Sequence, residues 1–470
     1  MTESLKTEIE RYFTRNKDQL LSDVFRIISI PSERGEAREG MPYGEGPFRA
    51  LMCGSELMRA AGFKVENWDN RVVTGDLTSL EPGLDILAHL DVVPCDKNWT
   101  VCRPYEPVCK DGRIYGRGTM DDKGPAIAAL YAMKCVKELG VPLRKNVRLI
   151  FGSDEECGCG DVGYYYSKNP EAPMTFSPDA SFPLINLEKG RCFSEITGSF
   201  APSAEKPAIL SAKAGIKSNV VPDEAEAVIS GFSLEAIKSL IEAAEEKTKA
   251  RFSADETEEG LVIRCKGSSA HAMCPEAGNN ALTAMLQFLV SLPCADSEQF
   301  RALKAVQSLF PHGDYHGKAL GIAMSDEISG EMTASPDLLS LSSSGISIVC
   351  DARCPVCAND ENTRQVIKAA VESRGLSLKD VPMVLPHYVD EKSDFVQTLL
   401  RVYEECTGLP GRAESTGGGT YVHDLKRGVA FGCETAGIDN CIHGANEFIS
   451  EEQLLQAAKI FAHAIIELCA

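Results

Sequence analysis

The sequence predicts an α/β domain, a mixed and mostly parallel sheet flanked by helices, with a separate α+β domain inserted into it. Three observations predict this. Up to about residue 187, apolar strand-like runs alternate with amphipathic helical stretches, as a sheet covered by helical crossovers requires. Between there and Pro386 the pattern changes to alternating strands with polar loops rich in Gly and Ser. Beyond Pro386 helices return, together with a strand. The parts 1–186 and 385–470 therefore read as one domain, and 187–384 as an insertion of about 200 residues, an ordinary domain size. A chain of 470 residues accommodates this division.

The elements follow in order. Residues 5–30 carry Ile9, Tyr12, Phe13, Leu20, Leu21, Val24, Ile27 and Ile28 at helical spacing, ending before Pro31. A second helix, 49–61, is closed by Gly62. Short strands are expected at 64–68 and 72–76. Residues 85–93 (DILAHLDVV) are apolar enough for a buried strand. An amphipathic helix at 125–139 stops at Gly140, and NVRLIFG at 146–152 is again a strand. The insertion shows one helix, 234–249, among its strands. The last part reads as a helix at 393–407, a glycine cluster at 417–419, a strand at 428–432 and a helix at 451–468.

Charge narrows the function. Lys and Arg number 48 against 68 Asp and Glu, a formal net charge of −20. Such a surface repels phosphate backbones and anionic lipid, so neither nucleic acid nor a membrane is expected as a partner. The opening MTESLKTEIE is acidic where a secretory leader is basic and then apolar. No apolar run is long enough to span a bilayer. The 18 cysteines are scattered through apolar stretches and read as free thiols in a reducing, cytoplasmic setting. Cys354 and Cys357 form a lone CxxC, and Cys157 and Cys159 a CxC. Neither supplies the four ligands of a structural zinc site.

The residues suited to chemistry are imidazoles and carboxylates. His89 and Asp91 lie two apart near the end of the 85–93 run, so a strand would put both on one face. Asp91 could then fix the His89 tautomer, although a histidine on an apolar strand is also compatible with a plain core role. Asp121 and Asp122 precede a helix, where they could cap it or hold a metal. Asp154, Glu155 and Glu156 follow the 146–152 strand directly. Adjacent carboxylates repel unless cations lie among them or water solvates them. Asp179 follows another apolar stretch, and His443 lies far along the chain. Open α/β sheets bind ligands beyond the carboxyl ends of their strands, where His89, Asp121, Glu155, Glu156 and Asp179 fall. Oxygen and imidazole donors without thiolate favour zinc, manganese or cobalt.

These residues sit in motifs. HLDVVP, GRGTMDDKGP, DEECG, SPDASFP and IHGANE resemble those of the zinc metallopeptidase family that includes carboxypeptidase G, aminoacylase and bacterial dipeptidases. DDKGP, SPDA, GSSAH, PHYV and GGGTY are similar to its dipeptidase V branch, and the likeness runs over nearly the whole chain. The resemblance implies a di-zinc peptidase-like catalytic domain with the insertion as its lid. It implies two divalent ions, zinc with manganese or cobalt as alternatives. His89 and Asp179 would hold one ion, Glu156 and His443 the other, and Asp121 would bridge them beside a cis peptide to Asp122. Glu155 would be the general base acting on a metal-bridging water, with Asp91 supporting His89. Asn219, His271 and Arg353 of the lid would bind substrate, helped by the backbone of Gly418 and Gly419. The implied substrate is a short peptide, most simply a dipeptide. An N-acyl amino acid amidohydrolase or a carboxypeptidase of the same family is the alternative. The long insertion resembles lids that replace a dimer partner, which implies a monomer.

Overall fold

A computed structural model describes residues 2–470 and separates the chain into two units. One consists of the chain up to Glu188 together with His387–Ala470, and the other is Lys189–Pro386.

The first unit is built on a nine-stranded sheet. Asn146–Gly152, Pro82–His89, Met174–Ser177 and Gly428–Ala430 lie side by side and parallel at its centre. Lys64–Trp68 and Val72–Asp76 extend one flank antiparallel, and Ile185–Glu188 and His387–Tyr388 the other. Glu414–Thr416 runs parallel to Ile185–Glu188. Leu84, Ile86, Leu87, Leu149, Ile150, Phe151 and Phe176 are all fully buried, as a parallel sheet covered on both faces demands. Parallel central strands bring His89, Gly152, Ser177 and Ala430 out at one edge.

Helix Lys123–Glu138 packs against both Glu3–Ile28 and Glu451–Cys469. It is buried on nearly every side, and Ala126, Ala128, Ala129 and Ala132 keep its girth small enough for that. Ser450 and Gln453 form a reciprocal capping box that starts the last helix. Phe461 on this helix meets the rings of Phe176, Phe431 and Phe182 at 5.4, 6.2 and 6.2 Å. Truncating such a buried phenylalanine to alanine costs about 3–5 kcal/mol.

Two strands are shorter than the sequence suggests. The run expected as a strand at 85–93 leaves the sheet after His89. Ser32 captures it there: its hydroxyl donates to the Leu90 carbonyl at 2.7 Å, and its carbonyl accepts from Val92 N–H. Asp91 therefore stands in the loop beyond the strand, and strand periodicity does not set its direction. The strand expected at 428–432 ends at Ala430, because Gly432 turns the chain with φ of +82°.

The second unit carries an eight-stranded sheet in which every pairing is antiparallel. The sequence suggested one helix here; the structure has four, Leu234–Thr248, Ala281–Leu289, Glu298–Leu309 and Arg364–Glu372. Ala281–Leu289 is nine residues long and almost wholly apolar, so its period is invisible; Asn280 caps it. Its Leu282, Met285, Leu286 and Phe288 join Ile229, Ile263 and Ile348 of the sheet in a common core. The strand Ile185–Glu188 runs past position 186, where the pattern changes in the sequence. Glu188 and His387 then face each other in antiparallel register, so the chain leaves and rejoins the first unit at adjacent points.

Candidate active site

Two groups of ligand-type side chains form in the first unit, His89–Asp121–Asp179 and Asp121–Glu156–His443, and they share Asp121. The two Asp121 oxygens divide between them. Oδ1 lies 3.0 Å from His89 Nε2, and Oδ2 lies 2.8 Å from His443 Nε2. Asp179 Oδ2 is 3.4 Å from His89 Nε2, and Glu156 Oε1 is 3.4 Å from His443 Nε2. His89 is the inner imidazole, its side chain 1% exposed, whereas His443 stands at the rim with 56% exposed. Asp121 reaches the site from the turn before helix Lys123–Glu138, and the Asp121–Asp122 peptide is cis. Asp122 occupies the helix N-cap position without a capping side-chain bond, and its carboxylate accepts His89 N–H at 3.1 Å instead. Gly124 is required here, since a Cβ would lie 2.1 Å from the Thr119 carbonyl oxygen.

Two buried carboxylates hold the loop that carries Glu155 and Glu156. Asp91 accepts Glu155 N–H at 3.2 Å and Glu156 N–H at 3.1 Å. Asp161 accepts Ser153 N–H and Asp154 N–H, the latter at 3.0 Å. Four consecutive amides are thus bound by two side chains. Asp91 also faces His89 Nδ1, with its carbonyl oxygen at 3.0 Å and its carboxylate at 3.5 Å. The closer partner is the backbone carbonyl, so the tautomer with Nδ1–H is fixed chiefly by main chain rather than by the carboxylate alone. Tyr421 donates its hydroxyl to Asp161 at 2.5 Å and sets its ring edge-on to His89. A Cβ at Gly152 would lie 2.0 Å from that hydroxyl, which explains glycine at this strand end.

The far end of the chain closes the site. Glu447, fully buried, accepts from Arg117 Nη1 at 2.6 Å and from the amides of Gly118, Met120 and Asp121 at 3.1, 2.9 and 3.2 Å. Asn440 bonds Gln453 and the Phe448 carbonyl, tying the His443 loop to the last helix. His443 itself takes φ of +60°, a left-handed conformation that costs a non-glycine residue about 1–2 kcal/mol.

Charge is concentrated here. Burial pushes the Glu156 carboxyl up to about 7, helped by Asp121 and opposed by His443 and His89. The nearby carboxylates of Asp121 and Glu156 lift His443 to about 10. Burial also works against charge on Asp121, but the close imidazoles of His443 and His89 prevail and hold it low. Glu155 is raised well above the usual range by burial, with Asp179, Glu156 and Asp121 adding to it and His89 opposing. It lies among the ligand-type groups yet belongs to neither of them.

The donors fit divalent cations. With Nδ1 turned to Asp91, His89 Nε2 faces the carboxylates of Asp121 and Asp179, and it is buried without a hydrogen-bond partner. Glu156 Oε1 is likewise buried and unpartnered. Such atoms call for positive charge between them, and oxygen with imidazole suits zinc, manganese or cobalt.

The residues predicted in the insertion lie in the second unit. Asn219 and His271 are on paired segments: Ala272 N–H donates to the Asn219 carbonyl at 3.0 Å, and Val221 N–H to the Ala270 carbonyl at 2.9 Å. His271 is exposed, and its Nδ1 accepts Met273 N–H at 3.0 Å, leaving Nε2 as the N–H donor. Burial and the charge of Arg353 lower its pKa against the pull of Asp351, favouring the neutral ring. Arg353 is buried, and the Nε–Nη2 edge of its guanidinium is already paired with Asp351 at 2.9 and 2.7 Å. The two-oxygen grip expected of that fork is therefore spent within the chain on this edge. Gly418 and Gly419 are exposed in the first unit, and Gly418 N–H is taken by Thr416 Oγ1 at 3.0 Å. Asp161, Tyr421 and Glu447 were not singled out from the sequence, though Tyr421 ends GGGTY and Glu447 ends IHGANE.

Residues 86–467 match the family described as peptidase family M20/M25/M40. The chain is 36% identical over 463 residues to the Bacillus subtilis (strain 168) protein YtjP, covering 97% of this chain and 98% of that one. It is 34% identical over 461 residues to a Beta-Ala-Xaa dipeptidase of Lactobacillus delbrueckii subsp. lactis, covering 96% of each. In fold it is similar to human carnosine dipeptidase 1, with a TM-score of 0.59 at 14% identity over 99% of this chain and 98% of that one.

Proposed function

The chain belongs to peptidase family M20/M25/M40, and from that premise we propose that it is a metal-dependent dipeptidase of the dipeptidase V branch, with β-alanyl dipeptides among its substrates. The observation that carries this reading is the pair of ligand groups sharing Asp121, with Glu155 beside them and outside both. The likeness to a Beta-Ala-Xaa dipeptidase along 96% of both chains supports the substrate class.

His89, Asp121 and Asp179 would hold one ion, and Asp121, Glu156 and His443 the other; zinc is the proposed metal, and manganese or cobalt suits the same donors. Divalent ions in such a site polarise an amide carbonyl and make water acidic near neutral pH. Glu155 takes the proton of the attacking water and passes it to the leaving amine nitrogen. Its burial among acids raises its affinity for that proton, as the task requires. His271 donates Nε2–H to the oxygen that gains negative charge, a contribution of about 3–4 kcal/mol for a donor of this kind. Asn219 and Arg353 bind the substrate carboxylate. The backbone of Gly418 and Gly419 lies against the bound peptide. A cytoplasmic monomer acting on short peptides completes the proposal.

The test is a dipeptide panel assayed after chelation and again after refilling with zinc, manganese or cobalt. Dipeptide cleavage that vanishes on chelation and returns on refilling is expected. Cleavage of N-acyl amino acids but not of dipeptides would replace this reading with an aminoacylase.

A further inference from the structure

Glu188 ends the strand Ile185–Glu188, and its backbone is paired on both sides, in parallel register with Thr416 and in antiparallel register with His387. Its carboxylate serves a different segment. Oε1 accepts the Thr420 hydroxyl at 2.8 Å, Oε2 faces His423 Nδ1 at 2.8 Å, and the Thr420 N–H lies 3.2 and 3.1 Å from the two oxygens. The residue is only 1% exposed, and a carboxylate so buried is costly unless it is hydrogen-bonded. These partners all come from residues 420–423, so the charge of Glu188 is satisfied in one placing of that turn. The run Gly417–Gly419 is thereby held at both ends by one residue, at Thr416 through the sheet register and at Thr420 through the side chain.

Tyr421 follows Thr420 directly. Its hydroxyl donates to Asp161 at 2.5 Å, and its ring stands edge-on to His89 with the centroids 5.9 Å apart. Gly152 leaves it no slack, since a Cβ there would come within 2.0 Å of the hydroxyl. Asp161 in turn accepts the amides of Ser153 and Asp154, immediately before Glu155. Glu188, Thr420, Tyr421, Asp161 and the loop of Glu155 form an unbroken series of contacts, and close-packed interiors transmit a displacement rather than absorb it. Glu188 belongs to neither ligand group, so it can act on the reaction only through this series.

We propose that Glu188 is a positioning residue of the reaction: it sets the turn Tyr421–Asp424 and, through Tyr421 and Asp161, the loop that carries Glu155. This rests on the dipeptidase reading above in taking Glu155 as the base.

The experiment is a double-mutant cycle in kcat and KM for a dipeptide. It compares the wild type, Glu188→Gln, Tyr421→Phe and the double variant, with metal content and thermal unfolding measured on each. Glu188→Gln should lower kcat about 10- to 100-fold at full metal content, the scale of a misplaced reacting group. Tyr421→Phe, which removes only the hydroxyl, should lower it comparably. The double variant should be no slower than the slower single one, because both changes cut the same series of contacts. Glu188→Asp keeps the charge, withdraws it by one methylene and should recover part of kcat. A merely structural role would lower the unfolding midpoint and leave kcat of the folded, metal-filled enzyme as in the wild type. That result overturns the assignment, and so do losses that multiply in the double variant. If Glu188→Gln fails to fold or to fill with metal, Glu188→Asp replaces it in the cycle and the same outcomes decide. Should the wild type cleave N-acyl amino acids and not dipeptides, the substrate reading falls, and the cycle run on that substrate still decides the role of Glu188.

Discussion

Glu447 accepts the backbone N–H of Asp121 at 3.2 Å, although 326 positions separate them. The residue shared by both ligand groups is therefore set in place by a carboxylate from the far end of the chain. That carboxylate also neutralises the buried Arg117. Glu447→Ala should cost about 3–5 kcal/mol, since it leaves a guanidinium buried and unpaired. It should weaken metal binding about 10- to 100-fold. Thermal unfolding with and without added zinc measures both, and an unchanged midpoint would show that Arg117 finds another partner.

Glu155→Ala should retain wild-type metal content, because Glu155 is in neither ligand group. Loss of a general base lowers kcat by about 10²–10⁴. Single-turnover hydrolysis beside metal analysis separates the two effects. Wild-type turnover in this variant would remove Glu155 from the mechanism.

His271→Ala should lower kcat by about 10²–10³, the usual effect of losing one oxyanion donor. Metal content should stay full, as the ligand groups consist of other residues. A variant that lost metal would make His271 a ligand instead.

Acid sensitivity should depend on His463. This residue of the last helix is 7% exposed. Burial, with nearby Lys6, pushes its pKa down to about 4. An unfolded histidine titrates near 6.5, so the unfolded chain takes the proton first. Its contribution is complete above about pH 6.5 and is lost as the pH falls toward 4, up to about 3 kcal/mol. His463→Gln should flatten the fall in stability across this window, as denaturant unfolding at pH 7.5 and pH 4.5 would register.

What could be read in the sequence depended on the range of the signal. Glu3–Ile28 and Asn146–Gly152 announce themselves through period and apolar content, and the ligand-type residues through their place after strands. Ala281–Leu289 was hidden because a nine-residue helix with only Thr283 and Gln287 polar shows too little of an amphipathic period. Asp161 and Tyr421 were hidden because their meaning lies in a contact 260 positions long. The pairing of Arg353 with Asp351 was within reach, for residues two apart on a strand share a face. Asp91 reversed that lesson: the strand ended first, and the loop gave its carboxylate two amides of the Glu155 turn.

Glu188 and His387 are neighbours in an antiparallel pair, the arrangement that a two-residue turn is able to join. The host sheet would need only such a turn to be continuous, whatever lies between. The insert is thus a cassette in the engineer's sense. It can be trimmed, exchanged or grown in evolution without re-registering a strand of the host sheet, and selection on the insert can proceed apart from selection on the residues that gather around Asp121.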